Sequence, residues 1–339
     1  KPLKKAERVE GRYPYYGATG VIDYVNDFIF EEQLVLIGED GAKWGSGENS
    51  AFIADGQYWV NNHAHVVRPK RDKLLDVYLT NVLNFMDLNP FITGVTVPKL
   101  NQANLLDIEI PLPPIEVQQQ IVDELEGYQK IIDGCKKVVE NYKPIIDIDS
   151  SWKIAELGSI CDIKSGGTPS KKKDEFWSNG SIPWVGSGVC KNERIYSSEK
   201  FITSAGLQNS SAKVFPRGTT FIALVGATIG KTALSVFETS TNQNIAGITP
   251  KDDEMIDKTY LFYATQTLYS QFMRLGEGQF RMANLSFVRG LKIPLPSIEI
   301  QKKIVSKLEA IEKVVDGNNN LIEIYTQKIQ ERIRLVWGD

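Results

Sequence analysis

The stretch of this chain that comes nearest to known chemistry is FIALVGATIGKTA, Phe221 to Ala233, which has the glycines and lysine of a nucleotide loop. A phosphate-binding loop follows G-x-x-x-x-G-K-[ST] and opens a helix, so that backbone N–H groups surround a phosphate. Here Gly226 and Gly230 stand one residue too close, and the alternating, β-branched segment that follows is typical of a strand. The stretch therefore predicts a strand, a loop and a second strand, and not an NTPase site.

Two other short motifs also fail to indicate a reaction or a metal. The sequence HAH contains His63 and His65, which are the only two histidines, and no cysteine lies near them in sequence. The sequence NPF at 89–91 has one proline where the amino-methyltransferase signature has two. No glycine-rich donor-binding loop follows a strand. The sequence thus predicts a chain that performs no catalysis and binds no metal.

Length and composition indicate a soluble protein of two domains. The 339 residues suffice for two ordinary domains at roughly 150 residues each. No apolar run approaches the ~20 residues that span a bilayer, and no signal peptide opens the chain. An odd number of cysteines, Cys135, Cys161 and Cys190, predicts reduced thiols in the cytoplasm. Because the net charge is −3, binding to nucleic acid would require local basic clusters or a partner's charge.

An internal repeat is the most informative feature. IPLPPIEVQQQIVDELEGYQKIIDG begins at Ile110 and IPLPSIEIQKKIVSKLEAIEKVVDG begins at Ile293, with 14 of 25 positions identical. Weaker matches upstream place Asn101 against Asn284, and VNNHAHVVRP from Val60 against TNQNIAGITP. The first copy has no counterpart of residues 151–179, so we expect the first domain to lack its N-terminal part.

A long amphipathic helix is predicted after each Ile-Pro-Leu-Pro. Apolar residues alternate in steps of four and three, which is a heptad seam. The seam positions are Ile121, Leu125, Tyr128, Ile132, Cys135, Val139, Tyr142 and Ile146 in the first helix, and Ile304, Leu308, Ile311, Val315, Asn318, Ile322, Tyr325 and Ile329 in the second. A narrow seam needs a partner, and antiparallel pairing of the two helices is favoured over pairing with another protein.

These features together predict an α+β fold with an internal two-fold repeat. Two mixed, strand-rich domains, residues 1–113 and 150–296, are separated by two long antiparallel helices, residues 114–149 and 297–339, which form a coiled coil. Polar residues such as Gln118, Gln119, Lys302 and Lys303 would then lie on outer faces that other subunits could contact.

The ordered set of motifs, present twice, resembles the specificity (S) subunit of type I restriction–modification systems. The motifs are SWKIAELGSICDIKSGGTP from Ser151, GSIPWVGSGV from Gly180, GATIGKTA from Gly226, TNQNIAGITP from Thr241 and IPLPSIEIQKKIVSKLEAI from Ile293. The likeness covers essentially the whole chain. It departs from the family in that the first copy has no counterpart of residues 151–179, and in that copy's loop GEDGAKWG.

The resemblance implies two target-recognition domains that each read one half of a bipartite sequence in double-stranded DNA. The helices set the gap between the halves. Methyltransferase subunits, two in number, bind S-adenosylmethionine and dock on the S subunit; restriction subunits use ATP and Mg²⁺. The S subunit itself holds no cofactor and is not an enzyme. The predicted docking residues are Glu116, Gln118, Gln119, Glu299, Gln301 and Lys302.

Residues expected to contact DNA lie in loops of both copies. Lysine and arginine bind phosphates and guanine, and asparagine and glutamine bind adenine. In the second copy the candidates are Lys164, Thr168, Lys171, Lys172, Lys173, Trp184, Ser187, Thr228, Lys231, Asn242, Gln243, Asn244, Gln279 and Arg281. In the first copy they are Tyr15, Tyr16, Lys43, Trp44, Asn61, Asn62, His63 and Lys99.

Simpler structural roles compete with several of these assignments. Trp184 could belong to the core, the three lysines 171–173 could be a solvated charge run, and the asparagines of TNQN could cap a turn. A different class of function also remains open: a protein-interaction scaffold with two variable domains on a coiled coil, which would suit the acidic balance.

Overall fold

The computed structural model describes residues 1–142, 146–275 and 282–336. The chain folds into two compact units: Lys1–Asn141 together with the chain from Val315 onward, and Tyr142–Val314. Each unit thus combines a strand-rich domain with part of a long helix.

The first unit consists of short strands followed by helices. Its elements are β1 (Glu10–Gly17), β2 (Gly20–Val25), β3 (Phe30–Glu31), β4 (Leu34–Gly38), β5 (Ala51–Ala54), β6 (Gln57–Val60), β7 (Ala64–Val67), α1 (Asp76–Phe85), α2 (Gln102–Leu106) and α3 (Ile115–Asn141). The strands form two sheets, one in the order β2-β1-β6-β3 and the other in the order β5-β4-β7.

The second unit follows the same plan with additional strands. Its elements are β8 (Lys153–Glu156), α4 (Leu157–Ile160), β9 (Cys161–Ser165), β10 (Ile182–Val185), β11 (Glu193–Ile195), β12 (Lys200–Ile202), α5 (Ser204–Gln208), β13 (Val214–Phe215), β14 (Thr220–Ala223), β15 (Thr232–Ser235), β16 (Thr239–Thr241), β17 (Ile245–Pro250), α6 (Lys258–Gln266), α7 (Tyr269–Met273), α8 (Leu285–Gly290), β18 (Lys292–Leu295) and the first part of α9 (Ile298–Val336).

The two units pair their strands in the same way. β10 is antiparallel to β12 and parallel to β16, and β16 is antiparallel to β13. β1 has the same relations with β2 and β6, and β6 with β3. The central strands β4 and β14 each lie between two antiparallel neighbours. The strand, loop and strand predicted for the stretch at Phe221 are confirmed as β14 and β15.

The core of the second unit has two layers because both faces of β14 are covered. Alternate side chains of a strand point to opposite faces. Phe221 packs with Phe215 of β13, and Ile222 packs with Tyr260 and Leu261 of α6. A strand that is buried on both faces has a continuous run of apolar residues in its sequence. This explains the hydrophobic residues that follow Phe221 at the start of the motif.

Asparagine begins a short helix at the same place in each repeat. The side chain of Asn101 accepts a hydrogen bond from the backbone N–H of Asn104, and Asn284 accepts one from Phe287. This is the N-cap arrangement that asparagine favours. The weak sequence match between the two asparagines is therefore a structural equivalence.

A buried glutamine joins each long helix to its own domain. Gln301 lies in the first turn of α9 and is fully buried. Its Oε1 accepts a hydrogen bond from the backbone N–H of Asp257 at 2.9 Å, and its Nε2 donates to the carbonyl oxygens of Met255 at 3.0 Å and Pro296 at 2.9 Å. Asp257 caps α6, so one side chain ties together the starts of two helices and the proline lead-in.

Gln118 forms the equivalent contacts in the first unit. Its Oε1 accepts from the N–H of Leu75 at 2.9 Å, and its Nε2 donates to the carbonyl oxygens of Lys73 at 2.7 Å and Pro113 at 2.8 Å. Because Gln118 and Gln301 are fully buried, the prediction that they form part of a docking surface was wrong. A buried amide is stable here because all of these polar groups are paired.

A tyrosine reinforces each of these junctions. The hydroxyl of Tyr78 donates to the carbonyl of Pro111 at 3.0 Å, and that of Tyr260 donates to Pro294 at 2.7 Å. Burial raises the pKa of Tyr78 to about 12 and that of Tyr260 further, so both hydroxyls keep the proton that they donate.

Within the first unit, α3 and the last part of α9 run antiparallel. The rings of Tyr128 and Tyr325 are 5.4 Å apart between centroids, and Arg332 Nε donates to Glu124 Oε2 at 2.7 Å. Residues later in α3 therefore contact residues earlier in α9, as expected for an antiparallel pair. Ile121, Leu125, Ile132, Ile329 and Ile333 form the buried seam, together with Tyr78 and Val82 of α1.

The first half of α9 does not follow the predicted seam. Leu308 is buried with the core of the second domain, and Ile304 packs against that same core. Ile311 is about one-third exposed. Arg194 of β11 binds Glu309 at 2.7 Å. This part of the helix is therefore held by its own domain, which the heptad pattern could not distinguish from a second helix.

The three cysteines are buried free thiols. Burial raises the pKa of Cys161 and of Cys190 to about 12, which keeps both thiols neutral. Within residues 1–142, 146–275 and 282–336, none of the helices has the length and apolar character needed to cross a membrane.

The glutamine junction gives the first testable prediction. Replacing Gln301 with Leu should lower the free energy of unfolding by on the order of 3 kcal/mol, because it leaves three buried backbone groups without partners. Urea unfolding followed by tryptophan fluorescence measures the change. Lys302→Ala, at the exposed neighbouring position, should stay within about 0.5 kcal/mol. A Gln301→Leu value equally close to wild type would show that the junction contributes no stability.

The helix pair gives a pH-dependent prediction. Hydrogen bonds from Tyr128 and Arg332 lower the pKa of Glu124, so its stabilising effect is present above the unfolded pKa of about 4.3 and is lost as the pH falls through the folded pKa. Glu124→Gln should cost up to about 1 kcal/mol at pH 7 for this half-exposed pair, and progressively less below pH 4.3. Urea titrations at several pH values, with Glu126→Gln as the control, measure this; a pH-independent difference would contradict it.

Candidate nucleic-acid interface

In the second unit, four loops that contain predicted site residues come together at one place. They are residues 164–173, 186–189, 226–231 and 241–244. The N–H of Gly167 donates to the carbonyl of Thr241 at 2.8 Å, and the hydroxyl of Thr168 donates to Gln243 Oε1 at 2.7 Å. The hydroxyl of Thr228 donates to the carbonyl of Ser187 at 3.1 Å. Residues spread over about eighty positions thus form one surface.

The glycine pair in the first of these loops is required by close packing. A Cβ atom at Gly166 would lie 2.2 Å from the carbonyl oxygen of Thr241, and one at Gly167 would lie 2.2 Å from Ser211 Oγ. No side chain fits at either position. The motif KSGGTP therefore brings its backbone against β16 and holds Thr168 and the lysines after it at the surface.

The lysines of this loop are exposed and largely unpaired. Lys164, Lys171 and Lys172 form no ion pair with any residue that the structure describes, and Lys173 lies 3.8 Å from Glu175. Lys231 is half-buried at the end of its loop, and it too lacks an ion pair within the described residues. The surface therefore presents concentrated positive charge, which suits contacts with phosphates.

Asn242 makes the turn on which this surface is built. Its Oδ1 accepts a hydrogen bond from the N–H of Asn244 at 3.1 Å, and its own N–H donates to Val185 at 3.1 Å. The turn-capping role proposed from sequence is thus present. Gln243 is exposed at the tip of the turn and Asn244 is half-buried beside it.

Trp184 belongs to the core and is not an exposed contact residue. It is 6 % exposed, and its Nε1 donates to the carbonyl of Gly167 at 3.0 Å. Its role is to hold the glycine loop in place. Gln279 and Arg281 lie outside the described residues, so their assignment stays a prediction.

The first unit has the turn that corresponds to residues 241–244, with different side chains. Asn61 Oδ1 accepts from the N–H of His63 at 2.8 Å, as Asn242 accepts from Asn244. The N–H of Asn61 donates to the backbone carbonyl of Tyr16 at 3.0 Å, as that of Asn242 donates to the backbone carbonyl of Val185. Asn62 is exposed at the tip of this turn, in the position of Gln243.

Three aromatic or amide side chains predicted to contact DNA in the first unit are buried. Tyr15 is 1 % exposed and its hydroxyl accepts from Leu3, Trp44 packs in the core with Leu88, and Asn61 is 6 % exposed. These assignments were wrong because residue type and motif position do not reveal which side chains the folded chain covers. Tyr16 is half-buried and Lys43 is exposed, with a distant ion pair to Glu48 at 3.8 Å.

Acidic residues distinguish the first surface from the second. Lys99 Nζ lies 2.6 Å from Glu39, and His63 Nδ1 contacts Asp40. The N–H of Glu39 donates to His63 as the N–H of Leu224 donates to Asn244, so Glu39 occupies the position of an apolar residue in the second unit. Lys99 and His63 are therefore paired here, whereas Lys164, Lys171, Lys172 and Lys231 of the second surface form no ion pair with a described residue. The sequence did not lead us to predict a role for Glu39 and Asp40, although both stand in the loop GEDGAKWG.

Both histidine rings contact other groups of the protein. Besides the pair with Asp40, His65 Nε2 lies 2.7 Å from the carbonyl oxygen of Leu100. Across the described ranges, His, Cys, Asp and Glu side chains form no cluster of three that could hold a metal ion.

Four of the predicted docking residues are exposed in the first turns of the long helices. They are Glu116 and Gln119 on α3, and Glu299 and Lys302 on α9. Hydrogen bonds from its own backbone N–H and from Ser297 lower the pKa of Glu299, which keeps it charged at the positive end of the helix.

Comparison with known proteins supports the sequence resemblance. The family model described as type I restriction modification DNA specificity domain matches residues 1–141 and 149–324. A Haemophilus influenzae protein named as a putative type I restriction enzyme specificity subunit is 30 % identical, over 98 % of this chain and 88 % of its own length. A specificity subunit of Escherichia coli is 29 % identical, over 68 % of this chain and 61 % of its own length.

Solved structures show the same fold at lower sequence identity. An S subunit of a type I restriction–modification system from M. genitalium superposes with a TM-score of 0.57 at 15 % identity, covering 99 % of this chain and 91 % of that one. A chain from a structure of the type I system aligns with a TM-score of 0.60 at 16 % identity, covering 96 % and 91 %. The chain therefore belongs to the type I restriction–modification DNA specificity family.

Proposed function

We propose that this chain reads a bipartite sequence in double-stranded DNA and directs a methyltransferase to it. The carrying observation is that the same turn, closed by Asn61 or Asn242, occurs in both units on the same strand pairing but with different side chains. The second surface offers lysines that form no ion pair with a described residue, and an exposed Gln243. The first offers Asn62 beside paired acidic and basic groups. Two such surfaces suit two different half-sites, since base edges are distinguished by donor and acceptor chemistry.

The helices are proposed to set the distance between the half-sites. Each long helix is tied to its domain by a buried glutamine, Gln118 or Gln301, so that a domain cannot turn freely about its helix. The exposed residues Glu116, Gln119, Glu299 and Lys302 are proposed to contact methyltransferase subunits, of which we expect two. Gln118 and Gln301 are excluded from this surface by burial.

Chemistry is proposed to reside in the partner subunits. In this assignment S-adenosylmethionine binds to the methyltransferase, and ATP and Mg²⁺ act on a restriction subunit that joins the complex. The chain contributes recognition and positioning without catalysis of its own. We propose that the complex works in the cytoplasm, where genomic DNA is accessible to it.

Methylation mapping tests the function directly. Cells that express this chain together with its neighbouring methyltransferase should acquire a gapped, two-part methylated motif that cells without the chain lack. Single-molecule sequencing of genomic DNA measures this and reveals both half-sites. The absence of any new motif, with both proteins present and folded, would contradict the assignment and favour a protein-interaction scaffold.

The lysine loop yields a residue-level prediction. Replacing Lys171, Lys172 and Lys173 with Ala should weaken binding of target and non-target duplexes alike, because phosphate contacts carry no sequence information. The slope of log affinity against log salt should fall by up to about 3, near one per lost contact. Fluorescence anisotropy of the complex with the methyltransferase measures it.

Lys213→Ala is the matched control, an exposed lysine of the same unit outside the loop surface. An unchanged salt slope in the triple variant would show that the lysines are a solvated charge run. A changed methylated motif in that variant would instead assign them to base reading.

A further inference from the structure

A pocket next to the lysine loop combines aromatic walls with positive charge. It is lined by Lys171, Asp174, Trp177, Trp184 and Lys200, and its volume is about 270 Å³. All five residues belong to the second domain. This volume lies just below the roughly 300–1,000 Å³ of pockets for drug-sized ligands, so it suits one small flat molecule.

The two indoles that line the pocket are held rigidly. Trp177 and Trp184 are in edge-to-face contact, with centroids 5.2 Å apart and planes at 83°. Trp177 Nε1 donates to the carbonyl of Ser170 at 3.2 Å, and Trp184 Nε1 donates to Gly167. Because both N–H groups are satisfied by protein, the half-buried ring of Trp177 offers carbon surface to a ligand, and the buried ring of Trp184 supports it from behind.

Charge at the pocket favours an anion. Lys171 and Lys200 are exposed and form no ion pair with a described residue, whereas Asp174 supplies one carboxylate. Two ammonium groups against one carboxylate leave a net positive charge. Lys200 stands opposite Trp184 in the β10–β12 pairing, so the two side chains leave the sheet on the same face.

We propose that this pocket binds one unstacked DNA nucleotide, with its base against Trp177 and its phosphate at Lys171 and Lys200. The proposal rests on the DNA-binding function proposed above. An inorganic anion would gain nothing from the indoles, and an uncharged apolar ligand would gain nothing from the lysines. A nucleotide uses both, and the carboxylate of Asp174 can accept a hydrogen bond from a base N–H group.

The location supports a nucleotide that belongs to the bound duplex. Lys171 lies in the loop that carries Thr168, and Thr168 is bonded to Gln243 at the proposed reading surface. Enzymes that modify a base take it out of the helix stack, which disturbs the partner strand and the neighbouring bases. A pocket at the edge of the reading surface could then hold a base that this distortion releases.

Binding of deoxyadenosine 5′-monophosphate to the full chain tests the pocket without a known target sequence. Saturation-transfer NMR should show contact at the base protons, and Trp177→Ala should lower the affinity by about five- to 150-fold, which corresponds to the roughly 1–3 kcal/mol of base–aromatic stacking. Lys200→Glu should lower it several-fold, and Lys213→Ala should leave it unchanged. Deoxyadenosine, which lacks the phosphate, should bind more weakly and respond little to Lys200→Glu.

Two variants keep the result interpretable if Trp177→Ala disturbs folding. Trp177→Phe retains a ring and should keep most of the affinity, and Lys200→Glu changes only an exposed side chain. Equal binding by wild type and Lys200→Glu, or no detectable nucleotide contact in wild type, would overturn the proposal.

A second measurement separates this pocket from the general function. With the methyltransferase and a duplex that carries the mapped motif, Trp177→Ala should reduce target affinity about tenfold while the motif stays the same. A motif that is methylated and bound normally by Trp177→Ala would overturn the pocket and leave the recognition function intact. Nucleotide binding by the full chain, without any methylated motif in the mapping experiment, would instead support the pocket and overturn the recognition function.

Discussion

The arrangement depends most on one buried amide, the glutamine in the first turn of each long helix. Gln118 and Gln301 each bridge three backbone groups: an N–H at the start of a short helix, a carbonyl just before it, and a carbonyl of the proline lead-in. No aliphatic side chain could replace these contacts, because a buried unpaired polar group costs about 1–3 kcal/mol. The amide thereby couples the direction of the helix to the orientation of the domain that holds the loops.

The domains themselves use one plan twice. A central strand, β4 or β14, is covered by a second sheet on one face and by a helix on the other, which leaves the loops between strands free to vary. In both copies an asparagine, Asn61 or Asn242, closes the turn at the centre of the loop surface. The backbone of this turn is thus the same in both units, and its chemistry is set by the residues carried on it.

The two loop surfaces differ in charge because their basic side chains are paired differently. Paired groups such as Glu39 with Lys99 give the first surface a balanced charge, whereas exposed lysines give the second a positive one. The net charge of the whole chain, −3, conceals this difference because it averages over every face of the molecule. Local pairing, and not composition, decides where a phosphate can bind.

The sequence by itself determined the repeat, the two long helices and the strand at the false phosphate loop, because these follow from patterns in the order of residues. Its resemblance to known proteins indicated the family. It could not determine which residues face outward. Four residues whose side chains commonly contact DNA are buried instead: Trp184, Trp44, Tyr15 and Asn61. Two glutamines predicted to lie on the surface, Gln118 and Gln301, are also buried and join the helices to their domains. Burial depends on which strand or helix covers a side chain, and that partner lies tens of residues away. Only the tertiary structure brought Thr168 to Gln243 and Lys200 to Trp184, because hydrogen bonds and strand register between distant segments decide those positions.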